Sequence, residues 1–188
     1  MSTSADARTP GTLPGDLAMW FFILAELSVF ALLILTFAGA QALDRPLFSA
    51  SRALLDRSTG LALTLSLLTA GLLAAMAQHW VRQGRARRAS AALLLALLLA
   101  SVYVGLKLGE YQHLAAAGLG LEHNRFFTLY WILTGFHFLH VLLGMAILAW
   151  LARRCWRHAY GGMESGVLYW HMVDLVWVVL FPLVYVIG

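Results

Sequence analysis

Five apolar runs of about twenty residues each, at 17–40, 60–81, 89–108, 126–151 and 167–187, leave this chain few folds to choose from. Each is long enough to cross a hydrocarbon core of roughly 30 Å as a helix. A chain in that medium must satisfy its backbone groups internally, which leaves helices as the spanning element for runs of this length. The expectation is an all-α membrane bundle: one five-helix transmembrane domain over 17–188, preceded by a polar N-terminal segment, 1–16. With 61% hydrophobic and only 12% charged residues, and a mean hydropathy of +0.78, a soluble globular domain is excluded. A net charge of +4 would suggest nucleic acid in a soluble protein, but here the basic residues fall between apolar runs, where topology accounts for them. The single cysteine, Cys155, excludes an intrachain disulfide and a C-x-x-C site, and reads as a loop thiol without a role. Residues 1–15 lack the basic start and short apolar core of a cleaved signal peptide, so the first run is expected to stay in the membrane. Pro14-Gly15-Asp16 reads as a turn that places an acid at the first helix start, with Trp20 near the interface.

Five spans put the termini on opposite sides. The N-terminal segment with the second and fourth loops carries Arg8, Arg82, Arg85, Arg87, Arg88, Arg153, Arg154 and Arg157, against Arg45, Arg52, Arg57, Lys107 and Arg125 on the other side. This excess places the N-terminus in the cytoplasm and the C-terminus outside. Small residues recur every four positions in the second span (Ala62, Ser66, Ala70, Ala74) and the third (Ala92, Ala96, Ala100). Such stripes allow close helix approach, although an Ala/Leu-rich lipid-facing helix would explain the third span as well. Lys107 and Glu110, near the outer end of the third span, read as a snorkelling interface pair. His113 and His123 read as solvated loop residues. No internal repeat points to an inverted-repeat transporter.

The ionisable groups inside the spans constrain function. His137 and His140 lie three apart in the fourth span, His171 and Asp174 three apart in the fifth, and Glu26 sits within the first. Each pair shares a helix face and needs partners away from lipid. At about 1.5 Å per residue, Glu26 and Asp174 lie roughly 10–12 Å from the cytoplasmic ends and His140 about 16 Å. Glu26, His140 and Asp174 can therefore share one layer, and at least two of them should touch, with a carboxylate to imidazole distance of about 3.2 Å or less. Three readings stay open: a hydrogen-bonded clamp between helices, a proton relay, and ligation of haem or metal. Against the last, two histidines on one helix face cannot clamp both sides of a macrocycle, and no Glu-x-x-His pattern is present.

Trp20-Phe21-Phe22-x-x-x-Glu26, Gly109-Glu110-Tyr111, Thr134-Gly135-Phe136-His137-x-x-His140-Val141-x-x-Gly144 and Tyr169-Trp170-His171-x-Val173-Asp174-x-Val176-Trp177 occur in that order along nearly the whole chain. The combination resembles subunit III of the haem–copper oxidases, a seven-helix protein whose last five helices these spans look like. The resemblance implies a non-catalytic accessory subunit with no cofactor of its own. Haem and copper, or iron, would then belong to a catalytic membrane partner, phospholipid would be bound, and Glu26 would match a buried, carbodiimide-reactive carboxylate linked to proton uptake. The family's Asp-Gly-x-Tyr-Gly-Ser stretch is replaced by His123-Asn124-Arg125-Phe126-Phe127-Thr128-Leu129-Tyr130-Trp131. In this and in its five helices the chain resembles the NorE proteins linked to nitric oxide reductase. The alternative is a self-contained membrane haem or metal redox protein.

Overall fold

The computed structural model describes residues 17–187, so the expected Pro14-Gly15-Asp16 turn, Arg8 and the polar segment 1–16 lie outside the described residues. Five long apolar helices are present: α1 (Leu17–Leu43), α3 (Arg57–Arg82), α4 (Ala86–Ala116), α5 (Arg125–Trp156) and α6 (Met163–Phe181). α6 continues into a π-helical turn, Pro182–Val186. The fold class is thus the expected all-α membrane bundle. The sequence reading missed α2 (Arg45–Arg52), a short helix between the first two spans. Its start is set by Asp44, whose carboxylate accepts from the Leu47 amide at 3.3 Å, and by Pro46 in the first turn. Asn124 caps α5 in the same way and also donates to the Ser51 hydroxyl at 3.0 Å, tying α2 to the start of α5.

α3 and α4 form a tight hairpin. Ser66, Ala70 and Ala74 on α3 and Ala92, Ala96 and Ala100 on α4 are buried, so both stripes are packing faces and the lipid-facing reading of the third span falls away. α6 packs on α3 and α5. Where it crosses α5, a Cβ on Gly144 would stand 2.9 Å from the Trp170 ring, so the glycine sets how closely the two helices meet. α1 is the loosest member and rests on α5 and α6. Its buried residues are Ile23, Phe30 and Phe37, a seven-residue spacing that draws one seam along the bundle. The fourth and fifth spans therefore flank the first, with the Ala-striped second beside the fifth, as the sequence led one to expect.

Arg52 fastens the end of the bundle at which α6 finishes. Its guanidinium donates to the Val184 carbonyl at 3.0 Å, to the Leu183 carbonyl at 3.2 Å and to Gln41 Oε1 at 3.2 Å, and Gln41 donates to the Ile187 carbonyl at 3.0 Å. Pro182 breaks the α-helical ladder there, and the arginine fork takes up carbonyls of the π turn. Burial, with Arg57 nearby, pulls the Arg52 pKa below the usual arginine value. Arg52→Lys keeps a charge but loses the fork, and is expected to cost about 1 kcal/mol. Thermal melts in mild detergent would read that loss, and an unchanged midpoint would remove Arg52 as the fastener.

Two sequence expectations need correction here. Cys155 is buried within α5 and is not a loop thiol, because α5 runs on to Trp156. Lys107 is not a snorkelling residue. α4 extends to Ala116, so Lys107 lies about 13 Å short of its end, more than its stem can span.

Candidate functional site

Glu26 and His140 meet between α1 and α5, with Glu26 Oε2 and His140 Nε2 3.0 Å apart. The other ring nitrogen, Nδ1, donates to the Phe136 carbonyl at 2.8 Å. A carbonyl only accepts, so Nδ1 carries a hydrogen and the Nε2 to Oε2 contact needs one more proton to be a hydrogen bond. That proton sits either on the carboxyl of a neutral pair or on the imidazole of an ion pair. Phe30 and Phe136 pack edge-on against the imidazole, with ring centroids 5.0 and 4.5 Å away. The pair is not sealed: the side chains remain 23% (Glu26) and 11% (His140) exposed.

His137, one turn away, differs. It is fully buried, and its Nε2 donates to the Val173 carbonyl at 3.2 Å, leaving Nδ1 to accept from the Tyr103 hydroxyl at 3.3 Å. Both nitrogens are satisfied with the ring neutral, and Trp177 packs on it at 5.1 Å between centroids. His137 thus joins α4, α5 and α6 as a fixed link.

Asp174 departs from the expected shared layer. Instead of reaching Glu26 and His140, it points at α3, where the missing side chain of Gly71 leaves room for Oδ2. His171 Nδ1 is 3.6 Å from that oxygen, within ion-pair range but long for a hydrogen bond, and the His171 side chain is 44% exposed. Asp174 Oδ1 is buried with no hydrogen-bond partner among the described residues. The five predicted residues therefore form three separate links, Glu26–His140, His137–Tyr103 and His171–Asp174, and not one network. Each of them ties two or three helices or fixes one helix turn.

A further polar cluster was legible in the sequence only as the Lys107–Glu110 pair, without its burial or its tyrosines. Lys107 is wholly buried and its ammonium donates to Glu110 at 2.7 Å and to the hydroxyls of Tyr130 and Tyr185 at 3.0 Å each. Tyr185 in turn donates to Glu110 at 2.9 Å. The rings of Tyr111 and Tyr130 stand 4.8 Å from the ammonium. The signal available in sequence was Tyr103, Lys107 and Glu110 at spacings of four and three, one polar face on an otherwise apolar helix.

The imidazoles also bear on haem. His137 and His140 have both nitrogens engaged, and of the three intramembrane histidines only His171 keeps a ring nitrogen without a partner among the described residues. Two free axial nitrogens do not face a common space, so these residues do not fit a haem between helices.

A bundle of five apolar spans tied across its interior by Glu26–His140, by His137–Tyr103 and by the Lys107 cluster is that of a multi-pass membrane protein with a polar interior. Residues 15–188 match the cytochrome c oxidase subunit III family, and the chain belongs to it. It is 29% identical over 192 residues to a probable quinol oxidase subunit 3 of Staphylococcus aureus (strain USA300), an alignment covering 100% of this chain and 96% of that protein. It is 35% identical over 127 residues to cytochrome c oxidase subunit 3 of the earthworm Lumbricus terrestris, covering 65% of this chain and 48% of the earthworm protein. The chain thus spans about half the length of that curated relative and nearly all of the staphylococcal one.

Proposed function

We propose that this chain is a non-catalytic accessory subunit of a haem–copper respiratory complex in a bacterial plasma membrane. Its N-terminus lies in the cytoplasm, its C-terminus outside, and its partner is a larger membrane subunit that carries the haems and the copper or iron. Family membership over residues 15–188 is the observation that carries the reading, and the engaged nitrogens of His137 and His140 favour it over a self-contained haem protein. Within the subunit, Glu26 and His140 form a partly exposed proton-holding pair suited to a proton-linked role, and bound phospholipid is expected. A second reading makes the partner a nitric oxide reductase. The stretch His123 to Trp131, which departs from the oxidase pattern, favours it.

Affinity purification from native membranes tests the assignment. A haem-bearing catalytic subunit is expected to co-purify, and its terminal reductase activity, toward oxygen or nitric oxide, decides between the two partners. A stoichiometric Soret band in the chain purified alone would overturn the accessory role. Glu26→Gln is expected to preserve assembly, abolish carbodiimide labelling at this position and change proton-linked turnover of the complex. If labelling and turnover both match the wild type, the pair is a helix clamp and the proton-linked role is lost.

A further inference from the structure

α6 is the most enclosed of the five spans and reaches the surface of the bundle along one stripe. Between Gly166 and Leu180 every residue is buried except Leu168, His171, Leu175, Val178 and Val179. Leu168, His171, Leu175, Val178 and Pro182 alternate spacings of three and four. That is a repeat of about 3.5 residues, which keeps one face of a helix turned toward a neighbouring helix. The stripe is apolar but for His171, whose side chain is 44% exposed. His171 lies about 12 Å along α6 from Met163, in a span about 36 Å long, and so within the hydrocarbon. The bundle offers its ring one partner. Nδ1 faces Asp174 Oδ2 at 3.6 Å, and Nε2 has no partner among the described residues. A carboxylate on the Nδ1 side favours the tautomer with its hydrogen there, which makes Nε2 of the neutral ring an acceptor without a donor. Asp174 is itself held in place by the room left at Gly71, so the bundle fixes this tautomer before anything docks. Acyl chains supply no donor, and an imidazole exposed to them with an unmet nitrogen is costly.

We propose that the α6 stripe is a docking face for a transmembrane helix of another chain, set in register by a hydroxyl or amide side chain of that helix that donates to His171 Nε2. The repeat selects a helix as the occupant, because a 3.5-residue seam matches a left-handed pair crossing at about 20°. His171 selects the register: one polar residue at a seam position, here between Leu168 and Leu175, specifies alignment at some cost in stability. The tautomer selects the donor, and it also disfavours a second copy of this chain. A twofold axis on the stripe would bring two Nε2 acceptors together, with Asp174 holding both rings the same way. The face stands apart from the haem-bearing partner proposed above, since a helix of that subunit or of a further chain would meet it by the same chemistry.

The test places the photoreactive residue benzoylphenylalanine at Leu175 or at Val178 of the full chain in native membranes, with Leu98, an exposed residue of α4, as the control site. Irradiation is expected to join the Leu175 and Val178 variants, and not the Leu98 variant, to one transmembrane segment of another chain. Sequencing of the adduct should find a Ser, Thr, Tyr, Asn or Gln within a turn of the attachment point. Adding His171→Phe to the Leu175 variant should lower the yield about tenfold, as loss of one interhelical hydrogen bond does. His171→Gln should keep most of the yield, because its amide can donate to Asp174 and accept from the partner at once. If His171→Phe fails to accumulate, the segment joined to Leu175 in the chain that keeps His171 still decides. Adducts only with lipid or with a second copy, a joined segment without a hydrogen-bond donor, equal adducts at Leu98, or a yield indifferent to His171→Phe would each overturn the docking face.

Discussion

Lys107→Met is expected to lower the stability of the bundle by about 3–5 kcal/mol, the usual loss when one member of a buried ion pair is removed. The ammonium has three protons and three acceptors: Glu110 at 2.7 Å, Tyr130 and Tyr185 at 3.0 Å. Four aromatic rings stand around it, those of Tyr111, Tyr130, Trp177 and Tyr185, at 4.8 to 5.7 Å from centroid to ammonium. Methionine fills the volume of the stem and supplies none of these bonds. Glu110, with only 7% of its side chain exposed, would keep the Tyr185 hydroxyl as its sole donor among those described. The cost therefore comes from the stranded carboxylate more than from the lost attraction. It follows that Lys107→Met/Glu110→Gln should recover much of the loss, because the pair is removed together and no charge stays behind. Thermal unfolding of the purified protein by tryptophan fluorescence, over the single and double variants, gives the coupling directly. Additive losses would mean that Lys107 acts through packing alone.

The sequence carried the spans to within a few residues at most ends because hydropathy measures what the bilayer selects, and a run of twenty apolar residues has few alternatives. It carried the Glu26–His140 contact for a related reason: depth along a straight helix is arithmetic, and two costly groups at one depth in neighbouring helices find each other. Asp174 had the same depth and went elsewhere. Its direction is set by the rotation of α6 about its axis, which depends on where Gly144 and Gly71 let α6 approach α5 and α3. Lys107 was misread because the third apolar run stops near Leu108 while the helix continues to Ala116 through Glu110, Gln112 and His113, residues that lower hydropathy without ending a helix. α2 was missed because eight residues containing Arg, Pro and Ser carry no hydropathy signal, although Asp44 and Pro46 together mark its start. The tautomers of His137 and His140 were beyond reach, since they follow from which carbonyl each ring faces.

Gly71→Ala should be the second most damaging of these substitutions, at about 2–3 kcal/mol, the upper part of the usual range for overpacking. A Cβ at this position would fall on Asp174 Oδ2 and within 3.1 Å of its carboxyl carbon. The carboxylate has little freedom to yield. It is short, its Oδ1 is already buried without a partner, and swinging Oδ2 away gives up the His171 contact at 3.6 Å. The helices have little freedom either, because α6 is held on its other side by Trp170 against Gly144. The clash is with one functional group, so removing that group should relieve it. In an Asp174→Ala background, Gly71→Ala is expected to cost close to nothing, and the double variant should melt above Gly71→Ala alone. Asp174→Ala itself should be mild, since it removes a carboxylate with one unsatisfied oxygen. Equal costs of Gly71→Ala in both backgrounds would show that the glycine serves helix approach in general. In that case the orientation of Asp174 toward α3 would have no steric cause at Gly71, and the His171–Asp174 pair would hold itself in place.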